Sequence, residues 1–244
     1  MKKTLHNSIS ILILTLILMG TLTTGAFAQK VKGNGNIIKE TKTVSPFTSI
    51  KMEGVLNVFL SQGTSENIIV EADQNLMSYI ETYVIGSQLV INTKEEVEIK
   101  SSTKMNVYVT LVDINSIEIS GVGNMITDSK LKLGNLTLVS SGVGDVVLNL
   151  DCSNLKADIN SVGNVELTGT VRNVEIDNNG VGNVKAFDLM ANVLKIQNNG
   201  VGNAEVNSAG EIYIDLNGIG NVSYKGDAIV KMLNVNGMGK VKKL

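Results

Sequence analysis

The chain has 244 residues, a formal net charge of −2, one arginine, one histidine, one cysteine and no tryptophan. Setting aside Lys2 and Lys3 leaves 19 basic against 23 acidic residues, with no basic cluster beyond the tail Lys240-Val-Lys-Lys243, so nothing draws the chain to nucleic acid. A single cysteine, Cys152, excludes an internal disulfide framework, and without a histidine to activate it the thiol reads as inert.

Residues 1–28 read as a signal peptide. Lys2 and Lys3 precede the apolar run Ile9 to Met19, and Ala26-Phe27-Ala28 supplies a small-x-small cleavage pattern. The expectation is a mature chain starting near Gln29, exported through the inner membrane and periplasmic, outer-surface or secreted. The run is too short for a permanent anchor, so no transmembrane segment is expected after cleavage. The only histidine, His6, falls within this segment.

Residues 29–45 are polar, contain Gly33-Asn-Gly-Asn36 and end before the only proline, Pro46; they read as a mobile leader or an extended first strand. The remainder, 46–244, reads as one domain. From Phe47 to about residue 115, strand signals crowd together at Ile50 to Met52, Val55 to Leu60, Asn67 to Glu71, Leu89 to Thr93 and Lys104 to Val112. Leu76, Met77, Ile80 and Val84 suggest one helical turn leading into a strand, with Gly86-Ser87 as the turn after it. This part lacks a clean period and reads as an N-terminal cap with irregular coils.

Residues 116–244 carry a phrase that returns seven times: Gly121-Val-Gly-Asn124, Gly142-Val-Gly-Asp145, Ser161-Val-Gly-Asn164, Gly180-Val-Gly-Asn183, Gly200-Val-Gly-Asn203, Gly218-Ile-Gly-Asn221 and Gly237-Met-Gly-Lys240. Its spacing of 18 to 21 residues is that of one solenoid coil. Six residues before the phrase stand Leu136, Leu155, Val174, Leu194 and Ile212. Four before it stand Ile117, Leu138, Ala157, Ile176, Ile196, Ile214 and Leu233. Four after it come Met125, Val146, Val165, Val184, Ala204, Val222 and Val241. This alternation describes strand, glycine corner, strand and a short polar return.

The predicted fold is therefore all-β, a right-handed parallel β-helix (β-solenoid) of about seven regular coils of about 19 residues. The second glycine of each phrase (Gly123, Gly144, Gly163, Gly182, Gly202, Gly220, Gly239) is expected where the backbone takes positive φ or coils approach too closely for a Cβ. Asn124, Asp145, Asn164, Asn183, Asn203 and Asn221 are expected to form a structural ladder from coil to coil. The residue between the glycines (Val122, Val143, Val162, Val181, Val201, Ile219, Met238) is expected to turn inward and stack in the core.

No constellation for catalysis stands out. Carboxylates are spread over the coils, and Glu166, Lys185 and Glu205 share one phase, which reads as a solvated outward row. Arg172 alone is a poor grip for acidic sugars. Calcium-binding solenoids need a recurring aspartate, and only Asp145 is acidic at the position concerned; phosphate loops need a third glycine, a lysine and a helix. No catalytic residue, cofactor or metal is expected.

The succession Phe47-x-x-Ile50, Gly54-Val-x-x-Val58, the Leu76 to Ile91 segment and the serial Gly-x-Gly-Asn/Asp corners resembles the head domain of auto-transporter adhesins of Bacteroidetes-type bacteria, the GIN domain, from about Phe47 to the end. The resemblance implies an exported, β-helical, adhesin-like protein. Two departures stand out: Val, Ile or Met replaces the small residue often found between the glycines, and with 4% aromatics there is no sign of a translocator barrel. The expected partners are a glycan, matrix or envelope protein, met by repeating polar side chains such as Thr137, Asp158, Glu175, Lys195 and Asp215 on a flat β face. The alternative reading is a carbohydrate-active β-helix enzyme, lyase-like or hydrolase-like.

Overall fold

A computed structural model describes residues 29–94 and 96–244; the expected signal peptide lies outside them. The strands in chain order are β1 (Gln29–Lys32), β2 (Ile37–Lys42), β3 (Ser49–Met52), β4 (Asn57–Gln62), β5 (Asn67–Asp73), β6 (Ile80–Ile85), β7 (Gln88–Thr93), β8 (Val97–Ser101), β9 (Met105–Leu111), β10 (Ser116–Ile119), β11 (Met125–Thr127), β12 (Leu131–Ser140), β13 (Val146–Ile159), β14 (Val165–Asn178), β15 (Val184–Asn198), β16 (Ala204–Leu216), β17 (Val222–Lys225), β18 (Ile229–Val235) and β19 (Val241–Lys243). One 3-10 turn, Met77–Tyr79, precedes β6. Among the described residues no helix is long and apolar enough to cross a membrane, which says nothing of strands.

The chain from β10 onward winds as a β-solenoid of stacked parallel coils. Residues 19 or so apart lie side by side: Leu136 beside Leu155, Val174, Leu194 and Ile212; Leu138 beside Ala157, Ile176, Ile196 and Ile214; Val146 beside Val165, Val184, Ala204 and Val222. All of these are buried, so each column is a continuous strip of core. A single coil has no second layer to cover its apolar side; stacking supplies one, and burial of each Val, Leu or Ile in the columns contributes about 1.5–3 kcal/mol. Strands β13 to β16 run 13 to 15 residues each, straight through the return, which is bent strand and not a polar loop.

The N-terminal part is a cap of mixed sense. β3 and β4 form the first coil of the stack, pairing in parallel with β10 and β11 on one side and with β7 and β9 on the other. Antiparallel pairs β6–β7, β5–β9 and β2–β5 then close that end. Residues 29–45 contribute two strands: β1 lies parallel to β8 and β2 lies antiparallel to β5. Between them, Gly33 to Asn36 is held by the carboxylate of Asp73, which is fully buried and accepts the N–H of Gly35 (2.6 Å) and of Thr103 (2.7 Å).

Candidate functional site

The corner residues are the most conspicuous feature of the sequence. Gly163 and Gly182 show what the second glycine does. Both have φ near +140°, and a Cβ on Gly182 would overlap the backbone carbonyl oxygen of Gly163 one coil below. Homologous overlaps recur from Gly123 to Gly239. The Asn/Asp column runs beside them. The side-chain oxygen of each member accepts the backbone N–H of its counterpart in the following coil: Asn124 from Asp145 (2.9 Å), Asp145 from Asn164 (2.8 Å), Asn164 from Asn183 (3.1 Å), Asn183 from Asn203 (2.9 Å), Asn203 from Asn221 (2.9 Å) and Asn221 from Lys240 (3.0 Å). What the position requires is one Cγ-borne oxygen, which Asp145 offers as well as Asn does. Lys240 stands where no further described coil needs an acceptor.

The structure also reveals a rung below the seven. Val55 bridges Val122, and the Asn57 side chain accepts the N–H of Asn124 (3.0 Å), so Gly54-Val-Leu-Asn57 is a degenerate first phrase. The 67-residue gap before Gly121, which holds the antiparallel excursion, hid it from a search for a fixed period.

One expectation is overturned. The residues between the glycines do not enter the core: Val122, Val143, Val162, Val181 and Val201 are 47–52% exposed, and Met238 is 69% exposed. The reason is parity. Inward positions fall at even offsets from the first glycine, through the corner as well as along the strands, so the pinched glycines occupy the inward slots and the aliphatic residue at the odd offset faces water. The solenoid stands without them, because the columns on the flanking strands close the core.

The outward face of the strands preceding the corner carries the side chains expected to meet a ligand. Thr137, Lys156, Glu175, Lys195, Tyr213 and Met232 lie on successive strands in one row. Asp158, Asp177, Gln197 and Asp215 form the next row. Of the five residues anticipated, Thr137, Glu175 and Lys195 fall in the first row and Asp158 and Asp215 in the second. Lys156 and Tyr213 stand in the first row and Asp177 and Gln197 in the second, at the same phases. A shallow groove of about 410 Å³ lies along Glu175, Asp177, Lys195, Gln197, Tyr213 and Asp215; a second, of about 290 Å³, continues from Glu175 and Lys195 toward Asn135, Asn154 and Asn173. Together they make a trough along the solenoid.

Its electrostatics are mixed. Lys195 Nζ stands 5.6 Å from the centre of the Tyr213 ring. The Tyr213 hydroxyl donates to Glu211 (3.0 Å), which also faces Lys231 (3.2 Å). The Tyr213 bond, and then Lys231, holds the Glu211 carboxyl below its ordinary range, while the same bond pushes the Tyr213 hydroxyl up. One carboxylate oxygen of Asp215 is buried in the trough without a hydrogen-bond partner in the protein. Such a row of carboxylate, amide, ammonium and phenol groups presents donors and acceptors at strand spacing, with one aromatic plane for stacking.

Elsewhere, Glu166, Lys185 and Glu205 do lie side by side in an outward row. Cys152 is 8% exposed; burial, and then Asp151, pushes its thiol up to about 11, so it is protonated at neutral pH. Among the described residues, no three His, Cys, Asp or Glu side chains gather closely enough to hold a metal ion.

The family described as "Putative auto-transporter adhesin, head GIN domain" matches residues 46–228. The chain belongs to this family. Solved structures agree: a "putative adhesin" from Bacteroides fragilis is 28% identical, covering 88% of this chain and all of its own, with a TM-score of 0.84. A "putative adhesin" from Parabacteroides merdae is 22% identical, with coverage of 89% and 100% and a TM-score of 0.66. A "putative lipid binding protein" from Parabacteroides distasonis is 22% identical, with coverage of 88% and 100% and a TM-score of 0.64. The latter two likenesses concern the fold. Among curated proteins, none matches the chain. The GIN-domain family is one of adhesin-like surface proteins, and the corner phrases lie within the matched span up to Asn221.

Proposed function

We propose that this GIN-domain protein is an exported, non-catalytic adhesin that holds a glycan in the trough on its outward face, with a matrix or envelope protein as the carrier of that glycan. The observation that carries the reading is the continuity of the trough over the coils of Glu175, Lys195 and Tyr213. An extended polymer lying along the axis meets a similar set of polar groups at each coil, so weak contacts add up along its length. Carbohydrate hydroxyls suit a surface of carboxylates and amides, and the Tyr213 ring offers a face for a sugar ring. Export and surface exposure accord with the adhesin family and with residues 1–28 read as a signal peptide.

The test is a glycan array probed with residues 29–244, followed by titration of the best ligand against K195A and Y213A. Either substitution is expected to weaken binding at least about tenfold, because each removes a group that closes the trough. Absence of any glycan ligand, or binding indifferent to both substitutions, refutes the assignment. Turnover of a polysaccharide, abolished by changing Asp177 or Asp215, establishes the enzyme instead.

A further inference from the structure

The eight corner side chains Val55, Val122, Val143, Val162, Val181, Val201, Ile219 and Met238 are bridged one to the next and form a single outward ridge. At a strand spacing of about 4.8 Å it runs roughly 34 Å along the solenoid. All eight are about half exposed or more. Glycines on both sides, with Ser161 the exception beside Val162, give the ridge low shoulders in the regular coils, so the aliphatic groups stand proud of the backbone.

The rows bordering the ridge are almost free of charge. On one side run Ser120, Ser141, Asn160, Asn179, Asn199, Asn217 and Asn236, and on the other Asn57, Asn124, Asp145, Asn164, Asn183, Asn203, Asn221 and Lys240. Glu53, Asp145 and Lys240 are the only charges in the whole stripe, whereas the trough face carries charge on most of its coils. Depletion of charge around an apolar centre is the compositional mark of an interface core. Many of the amides are already tied to one another, as in Asn179–Asn199 (2.9 Å), Asn199–Asn217 (3.0 Å) and Asn217–Asn236 (3.0 Å), which lowers the cost of removing them from water.

We propose that the ridge is a self-association surface, on which two copies of this chain meet ridge against ridge across a twofold axis. Three features select a second copy as the occupant. The ridge repeats at strand spacing, and a matching repeat of the same length is guaranteed on another copy. Near-identical rungs make the surface self-complementary, as an isologous contact demands. In the antiparallel arrangement with both ridges fully overlapped, Glu53 faces Asn236, Asp145 faces Asn203 and Lys240 faces Asn57, so no like charges meet. The parallel arrangement also sets each charge against an amide or hydroxyl. The exposed aliphatic area is on the order of 600 Å², at the upper end of the largest apolar patch on a typical monomer. With the amide rows included, the contact approaches the roughly 800 Å² per partner of a stable interface.

The ridge and the trough are separate surfaces, and either assignment stands if the other fails. The test is sedimentation of residues 29–244 over a concentration series, comparing the natural sequence with V162K/V181K at the centre of the ridge and with T137K on the trough face. The natural chain and T137K are expected to show a reversible monomer–dimer equilibrium, weakened at least about tenfold in V162K/V181K. Far-UV circular dichroism checks that the double variant is folded. Should it not be, V162T/V181T keeps the β-branched shape, and is expected to fold and to dimerise more weakly. A monomer at every concentration, a dimer indifferent to both central substitutions, or a monomer that instead binds phosphatidylcholine vesicles through the ridge overturns the proposal.

Discussion

Asn178 and Asn198 occupy core positions that are Ile159 in the coil below and Leu216 in the coil above, and both are buried. The Asn178 amide donates to the Asn198 oxygen (2.6 Å) and accepts the N–H of Gly180 (3.3 Å), but the Asn198 nitrogen has no partner. A pair of this kind costs most when half of it is removed. N178V is expected to lower stability by about 1–3 kcal/mol, and N178V/N198V to recover part of that loss, since the Gly180 N–H lacks its acceptor in both, as read by chemical denaturation. Nothing in the sequence singled out these two asparagines, because a turn-forming residue one or two places before a glycine reads as part of the corner. The ridge valines were misplaced for a related reason. Their inward stacking was inferred from apolar character, while the alternation of Leu136, Leu138 and Val146 already determined that an odd offset faces out. Applied through Gly142 and Gly144, that alternation makes the ridge legible.

Among the elements, the regular strands were legible and the cap was only partly so. From β10 onward each strand repeats its neighbour's pattern, so the register could be counted; β1 and β2 are short, pair with β8 and β5, and are joined by a turn fastened in part by one buried side chain distant in sequence. That side chain is Asp73. Burial alone would raise its pKa, but the N–H groups of Thr103, Gly35 and Lys104 outweigh burial and hold the carboxyl below its ordinary value of 3.8. A depressed folded pKa means that the stabilisation is complete above the ordinary carboxyl value and is lost as pH falls through the lower folded one. D73N is therefore expected to cost about 2–3 kcal/mol at pH 7, measured by urea denaturation. The gap between variant and natural chain closes in acid below the ordinary carboxyl range. Hydrogen exchange at Gly35 and Thr103 is expected to quicken in the variant ahead of that in β13 to β16.

For the whole molecule, neighbour-to-neighbour stacking makes coils nearly interchangeable. Deleting residues 145–163 joins Gly144 to Asn164 in phase, placing Leu138 beside Ile176 and Met125 beside Val165. This shortened chain is expected to melt cooperatively, with a lower midpoint and an unchanged strand signature by circular dichroism. Deleting only residues 145–154 removes part of a coil, breaks every column above it and is expected to abolish cooperative melting. The trough's existence was foreseeable from the repeat, since Thr137, Glu175 and Lys195 recur at one phase. Its depth was not, because the positions of Tyr213 and Asp215 relative to the strands beside them depend on coil-to-coil geometry.

The oxygen column at the corners has a direction: each side-chain oxygen accepts from the coil that comes after it, and the amide nitrogens of Asn164, Asn183 and Asn221 reach back to the oxygen before. A finished winding thus presents a waiting acceptor to chain not yet placed, whereas a later winding formed alone would leave its own amide unanswered. Zippering from the amino-terminal end is the economical order of assembly, which is also the order in which a polypeptide threaded amino-terminus first through a membrane pore becomes free to fold.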